Sequence, residues 1–247
     1  MKKDYKKDLP KIDDIKDNYS NKVYFIIFAI IYILFYCGIT KMFLKKWGLL
    51  SNISEKGIVL INIGFMLLTS IVFIFIYRKR LLRDLGLLID NFDSYFRFNG
   101  RIFLRYLPYY ILLSLAVGGI IYNRTENAES TNQLALSTVP IWVLSFLSVL
   151  MAPITEEGMF RWTIRKITDN KWLFIILSGF IFGFIHVNYW GEQEWIQLLH
   201  IVPYGILGMM MAEMYYDTNN LLASSLFHAT WNLVMVLIQI LLSFFVA

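Results

Sequence analysis

The stretch Met151-Ala152-Pro153-Ile154-Thr155-Glu156-Glu157-Gly158-Met159-Phe160-Arg161 places two adjacent carboxylates and a guanidinium at the end of a long apolar segment. Each such charge costs about 2.5–3.5 kcal/mol at the centre of a membrane helix on insertion scales. Three charges in this setting need ionic partners, an aqueous cavity or a position near the interface. We therefore expect these charged residues to have a functional role in a membrane protein.

The rest of the chain is apolar enough for a membrane bundle. It has 247 residues, 57% of them hydrophobic, and several apolar runs reach the roughly 18 residues that span a bilayer. Its one cysteine, Cys37, excludes a disulfide framework and a thiolate metal site. The net charge of +5 does not indicate a nucleic-acid partner, because Lys and Arg cluster beside the apolar runs, where they orient membrane proteins. We predict an all-α, polytopic transmembrane helix bundle in a lipid bilayer.

About seven spans are predicted, within a range of six to eight. Residues 1–22 form a polar cytosolic tail that is too charged and too poor in apolar side chains to fold alone. The next run is too long for a signal-peptide core and lacks a cleavage site, so we expect it to remain as the first span. The predicted spans are Val23–Thr40, Ile58–Tyr77, Ile102–Tyr122, Leu134–Thr168, Trp172–Trp190, Trp195–Tyr216 and Leu221 to the C-terminus. The fourth reaches Thr168 only if its helix continues through Pro153.

Residues 78–101, between the second and third spans, have a different pattern. Apolar side chains recur there at helical spacing, and charged side chains occupy the other faces. This pattern is typical of an amphipathic helix in the headgroup region, although a cytosolic connector explains it equally well.

Basic residues orient the bundle. They are concentrated in the tail, in 78–105 and in 161–171, whereas 123–133 and 191–194 carry almost none. This alternation predicts a cytosolic N-terminus and, with seven spans, an external C-terminus. The lysines of 41–56 fit this orientation poorly.

The paired carboxylates differ in their expected roles. On a helix, Glu157 and Arg161 are four residues apart and can form an ion pair, whereas Glu156 points about 100° away and stays available. An ordinary interfacial helix end with solvated charges is the alternative explanation.

Two of the three histidines lie beside features that suit a site. His186 follows Phe182 by four residues, and Gly179 and Gly183 are spaced to let a neighbouring helix approach closely. The third histidine, His200, has no such companions and is more simply a packing residue.

The last span carries His228 and Asn232 four residues apart, so an imidazole and an amide share one helix face. If the fourth and fifth spans form a hairpin that turns near Lys171, Glu156 and His186 both lie about 22 Å from the turn and are level. His228 lies only about 10 Å into its span. All three meet only if the hairpin projects about 12 Å past the membrane surface, or if helix ends are misplaced.

These residues resemble the CPBP family of intramembrane proteases, also called the CAAX protease and bacteriocin-processing or Abi family. The matching motifs are Glu156–Arg161 for E-E-x-x-x-R, Phe182–His186 for F-x-x-x-H and His228–Asn232 for H-x-x-x-N. The resemblance covers about 134–233, so we divide the chain into the tail, N-terminal helices and connector at 23–133, and a CPBP-like catalytic bundle at 134–247. Gly158 stands where the family usually has a larger apolar residue and Trp162 where glycine is common, which puts the substrate's shape in doubt.

The resemblance implies a site made of Glu156, Glu157, Arg161, His186, His228 and Asn232. It assigns Glu156 and His186 to activating a water molecule, and His228 with Asn232 to stabilising the oxyanion. The Glu157–Arg161 pair holds the helix and tunes the charge. The resemblance leaves open whether a zinc ion binds between Glu156, His186 and His228.

The implied function is that of an intramembrane endopeptidase acting on a membrane-associated peptide or protein. A Lys-, Ile- and Asn-rich composition favours a protein of the bacterial cell membrane with a role in peptide maturation or bacteriocin-related processing or immunity, over one that trims prenylated CAAX proteins. Two rival functions remain: a catalytically idle membrane regulator or scaffold, and a small transporter. The sequence does not indicate the oligomeric state.

Overall fold

The computed structural model describes residues 53–122, 138–186 and 198–246, with the isolated positions 9–10, 30 and 47–48. Within these residues every regular element is a helix, as predicted. The polar tail, the first predicted span Val23–Thr40 and the polar segment 123–133 lie outside the described residues, apart from positions 9–10 and 30.

Six helices make up the described bundle. They are α1 (Glu55–Asp90), α2 (Phe92–Tyr122), α3 (Ile141–Ile167), α4 (Lys171–Ile185), α5 (Ile201–Thr218) and α6 (Leu221–Val246). Five of them, all except α4, are long and apolar enough to cross a membrane when the 3-10 turn before α5 is included. With the shorter apolar α4 and the first predicted span, this agrees with about seven spans and identifies an integral membrane protein.

Residues 78–101 do not form a separate interfacial helix. They are the end of α1 and the start of α2. Two of their charged side chains, Arg80 and Asp84, are buried against protein, whereas Asp93 and Arg97 are exposed. A carboxylate oxygen of Asp84 accepts the Leu221 N–H at 2.9 Å, and the Asp84 carbonyl accepts the Asn220 side-chain amide at 2.9 Å. Arg80 donates to the Tyr215 hydroxyl at 3.0 Å. Part of the charged face predicted for headgroups therefore packs on the turn between α5 and α6.

Helix α3 carries the glutamate pair and continues through Pro153, as predicted. It starts at Ile141, directly after Pro140, whose backbone is extended at the N-cap position. The predicted start at Leu134 lies outside the described residues. The helix passes through Pro153 to Ile167, and two π-helical segments, Leu147–Met151 and Glu157–Trp162, interrupt the regular α-helix. A wider turn just before Pro153 suits a residue whose ring clashes with the carbonyl four residues earlier.

Glycines bring α4 and α5 into backbone contact, as their spacing predicted. A Cβ added to Gly183 would collide with the Ile201 carbonyl oxygen, and one added to Gly208 would lie 2.9 Å from the Gly179 Cα. A Cβ on Gly179 would lie 2.8 Å from the Gly205 carbonyl oxygen. This close approach holds the end of α4, and therefore His186, against the start of α5.

Candidate active site

The side chain of Glu156 lies where α3, α4 and α6 meet. One of its carboxylate oxygens, Oε2, is 3.8 Å from Nε2 of His186 and 3.8 Å from Nε2 of His228. Glu156 is 2% exposed and His228 is 4% exposed. The predicted hairpin did bring Glu156 level with His186, and the structure adds His228 to the same point.

The second carboxylate, Glu157, is fully buried between two nitrogen groups. Its Oε1 lies 3.2 Å from Nη2 of Arg161 and 3.1 Å from Nδ1 of His228. The four-residue spacing predicted the ion pair with Arg161, but not the contact with His228. Glu157 thus supports a histidine of the candidate site directly.

Hydrogen bonds orient both imidazole rings. Nδ1 of His186 lies 2.8 Å from the Phe182 carbonyl oxygen, and Nδ1 of His228 faces the Glu157 carboxylate. Carbonyl and carboxylate oxygens only accept, so we assign a proton to each Nδ1. With Nδ1 occupied, each ring directs Nε2 at Glu156.

The aromatic ring of Phe182 packs against three members of the site. Its centroid is 4.8 Å from the Arg161 guanidinium carbon, 4.2 Å from the His186 ring and 5.5 Å from the His228 ring. The first residue of the F-x-x-x-H motif therefore has a packing role, since it fixes the rings around the carboxylates.

Sequence reasoning missed Tyr204, which stacks on the His186 ring at a centroid distance of 5.2 Å. Tyr204 lies in the first turn of α5, and no local pattern marks it. His200 lies one ring further out, 6.2 Å from Tyr204, which agrees with its interpretation as a packing residue.

Asn232 lies one helical turn beyond His228 on α6. Its amide nitrogen Nδ2 donates to the Ser148 carbonyl oxygen of α3 at 2.7 Å. The sequence could not have revealed this partner, because a backbone carbonyl has no residue-specific signal.

Helix α1 accounts for the two departures from the family pattern. The ring of Phe73, which is fully buried, fills the space where a Cβ of Gly158 would lie. The Trp162 ring packs against Tyr77 at 4.6 Å between centroids, and the Arg80 guanidinium lies over it at 4.4 Å. Phe73 thus fills the space that a residue larger than Gly158 would need. Tyr77 packs against Trp162, where a glycine would leave a gap.

Two imidazoles and a carboxylate are a donor set that zinc accepts. A tetrahedral zinc about 2.0–2.1 Å from each ligand atom holds those atoms about 3.3 Å apart, whereas Glu156 Oε2 lies 3.8 Å from each histidine nitrogen. Among the described residues, no group of three or more His, Cys, Asp or Glu side chains has the spacing of a metal site. The distances between these residues do not fit a zinc ion. Zinc binding stays a prediction, and the proposed mechanism uses no metal.

Comparison with known proteins bears on the same region. Residues 138–234 match the family model of the type II CAAX prenyl endopeptidases, Rce1-like. This range contains all three motifs that form the candidate site.

Three similar proteins come from Lactococcus lactis subsp. lactis. UPF0177 protein YbdI is 32% identical over 118 residues, which are 47% of this chain and 55% of that protein. UPF0177 protein YxdF is 26% identical over 98 residues, 40% of this chain and 51% of that protein. UPF0177 protein YajF is 35% identical over 74 residues, 28% of this chain and 35% of that protein.

The chain thus spans between about a third and just over half the length of these curated relatives. No solved structure matches the chain. The family resemblance predicted from the sequence is confirmed by the match of residues 138–234 to the Rce1-like family model.

Proposed function

We propose that this protein is an intramembrane endopeptidase that hydrolyses a membrane-associated peptide or protein with an activated water molecule. The observation that carries the proposal is the position of Glu156 Oε2, 3.8 Å from two histidine Nε2 atoms. That distance is too long for a direct hydrogen bond, but a water about 2.8 Å from both atoms could bridge Oε2 to either histidine nitrogen. The match to an endopeptidase family model supports peptide hydrolysis as the reaction.

In this mechanism Glu156 is the general base. Its carboxylate takes a proton from the water as the oxygen attacks the peptide carbonyl carbon, and His186 accepts the second water hydrogen bond through Nε2. Glu156 then returns the proton to the leaving amine. General acid–base catalysis of this kind contributes about 10²–10⁴-fold to the rate.

Charge balance supports a different role for His228. With both carboxylates ionised, Glu156, Glu157 and Arg161 carry a net charge of −1 in a buried cluster, which a low-dielectric interior disfavours. Protonating His228, which lies beside both carboxylates, makes the cluster neutral. Its Nε2–H can then donate to the oxyanion of the tetrahedral intermediate, while Glu157 stabilises the imidazolium at Nδ1.

Asn232 supplies the second oxyanion donor in this proposal. A side-chain amide has two N–H groups, and one of them is used on the Ser148 carbonyl. The other is available to a substrate oxygen beside His228.

For the substrate, we propose a peptide or membrane protein of the bacterial cell membrane, handled in peptide maturation or in bacteriocin-related processing or immunity rather than in prenyl-CAAX trimming. The bacterial origin of the similar proteins supports the location. In the proposed orientation the N-terminus is cytosolic. Among the site's titratable groups His186 is the most exposed, with 17% of its side chain accessible, so the substrate would approach from the end of α4.

Mass spectrometry of membrane peptides tests the proposal and identifies the substrate together. Cells with the wild-type protein should contain cleaved peptides that are absent with Glu156→Ala and with His228→Ala, at equal protein levels. Cleavage that survives both substitutions would overturn the protease proposal. A phenotype without cleavage would favour the regulator, and substrate flux in liposomes with no peptide cut would favour the transporter.

A further inference from the structure

The first π-helical segment of α3 changes the hydrogen bonding of Ser148. In a regular α-helix the N–H of Ala152 would donate to the Ser148 carbonyl, four residues earlier. Here the Ala152 N–H donates to the Leu147 carbonyl instead, five residues earlier. The regular donor for Ser148 is therefore already used.

The next residue cannot replace that donor. In the π-helical pattern the Ser148 carbonyl would accept from residue 153, which is proline and has no N–H. The combination of the π-helical segment and Pro153 thus leaves the carbonyl without its usual backbone partner. A partly buried carbonyl in this state is stabilised by another donor.

The side chain of Asn232 provides that donor from α6. Nδ2 lies 2.7 Å from the Ser148 oxygen, and the bond crosses from α6 to α3. Only the nitrogen end of the amide can donate to a carbonyl, so this bond also fixes which way the amide faces.

We propose that Pro153 is a positioning residue that acts through Asn232, by leaving the Ser148 carbonyl free to bind and orient the amide. The inference rests on the proposed function, in which Asn232 donates to the oxyanion. Because that donation occurs in the transition state, Pro153 affects the rate of the chemical step more than substrate binding.

The Pro153→Ala variant tests the positioning role. An alanine restores an N–H that can satisfy the Ser148 carbonyl, and the amide of Asn232 loses its anchor. We expect kcat to fall by about 10-fold to 100-fold, the scale for a misplaced catalytic group, with KM unchanged. Pro108→Ala is the matched control, because this variant also removes a proline from inside a helix, here α2. Equal kcat values for the two variants would overturn the inference.

A stability cycle tests the same link without using activity. In the wild-type background Asn232→Ala leaves the Ser148 carbonyl unsatisfied and should lower Tm by about 3 °C or more. In the Pro153→Ala background the backbone supplies the donor, so the same substitution should lower Tm by less than half as much. In the Pro108→Ala background the full decrease should return.

The two tests separate the possible failures. If the wild-type protein cleaves no peptide but the Tm values show this coupling, the proposed function fails and the contact between Pro153, Ser148 and Asn232 stands. If Asn232→Ala lowers Tm equally in all three backgrounds, the inference itself is overturned, whether or not the protein is a protease.

Discussion

Replacing Gly158 by alanine should destabilise the protein, against the general rule for helices. An alanine inside a helix is normally more stable than glycine by about 0.5–1 kcal/mol. At Gly158 the added methyl group would enter the ring of Phe73, which is fully buried in the core. Overpacking of this kind costs about 1–3 kcal/mol. Because the added methyl group would overlap the ring itself, the upper part of this range applies, about 2–3 kcal/mol. Subtracting the gain in helix propensity leaves a net loss of about 1–2.5 kcal/mol, or a Tm lower by about 2–10 °C for a protein of this size.

Thermal unfolding of the purified protein in detergent measures the effect. Gly86→Ala is the matched control, because Gly86 lies in the α1 helix and a Cβ there would meet open space. The Tm of the Gly86→Ala protein should be equal to or higher than that of the wild type. In a Phe73→Leu background the smaller side chain leaves room for the methyl group, so Gly158→Ala should cost less there than in the wild type.

The sign of the change decides the outcome. If Gly158→Ala raises Tm as much as Gly86→Ala does, the α1 helix does not press on the glutamate-bearing part of α3. The explanation given for the departure from the family pattern at this position would then be wrong.

The remaining predictions concern the buried ion pair, the glycine interface between α4 and α5, and the metal. Glu157→Gln should lower stability by about 3–5 kcal/mol in thermal unfolding, because it leaves the Arg161 guanidinium buried without its carboxylate; an unchanged Tm would contradict this. Gly183→Leu should prevent the close packing of α4 on α5 and lower Tm, whereas Gly118→Leu, where a Cβ meets open space on α2, should not; equal effects would contradict the glycine interface. Cleavage should continue in a metal-free preparation because the proposed mechanism uses no metal, and inhibition by a chelator that zinc alone reverses would show the opposite.

Local spacing predicted much of the candidate site. Helical geometry alone pairs Glu157 with Arg161, and helical rise alone places Glu156 level with His186. The glycines of α4 predicted a close neighbour in the same way. These predictions succeeded because each depends on one helix or on two helices joined by a short turn.

Contacts between distant segments were not predictable from the sequence. Nothing in the charged pattern of 78–101 marks Asp84 as the acceptor of the N–H of Leu221, more than 130 residues later in the chain. The π-helical segments of α3 likewise leave no periodic signal in an apolar run. The bond between Asn232 and the Ser148 carbonyl depends on both kinds of feature, a helix irregularity and a distant helix.

The central claim is that Glu156, held against two histidines, activates the water that cuts the peptide. Its most direct test is the cleavage rate of the purified, membrane-reconstituted protein with Glu156→Gln, which keeps the side chain's shape and removes its basicity. We expect the rate to fall by about 10²–10⁴-fold, while Tm stays close to that of the wild type. A Glu156→Gln protein that is folded and cleaves the same peptide at the wild-type rate would contradict the claim.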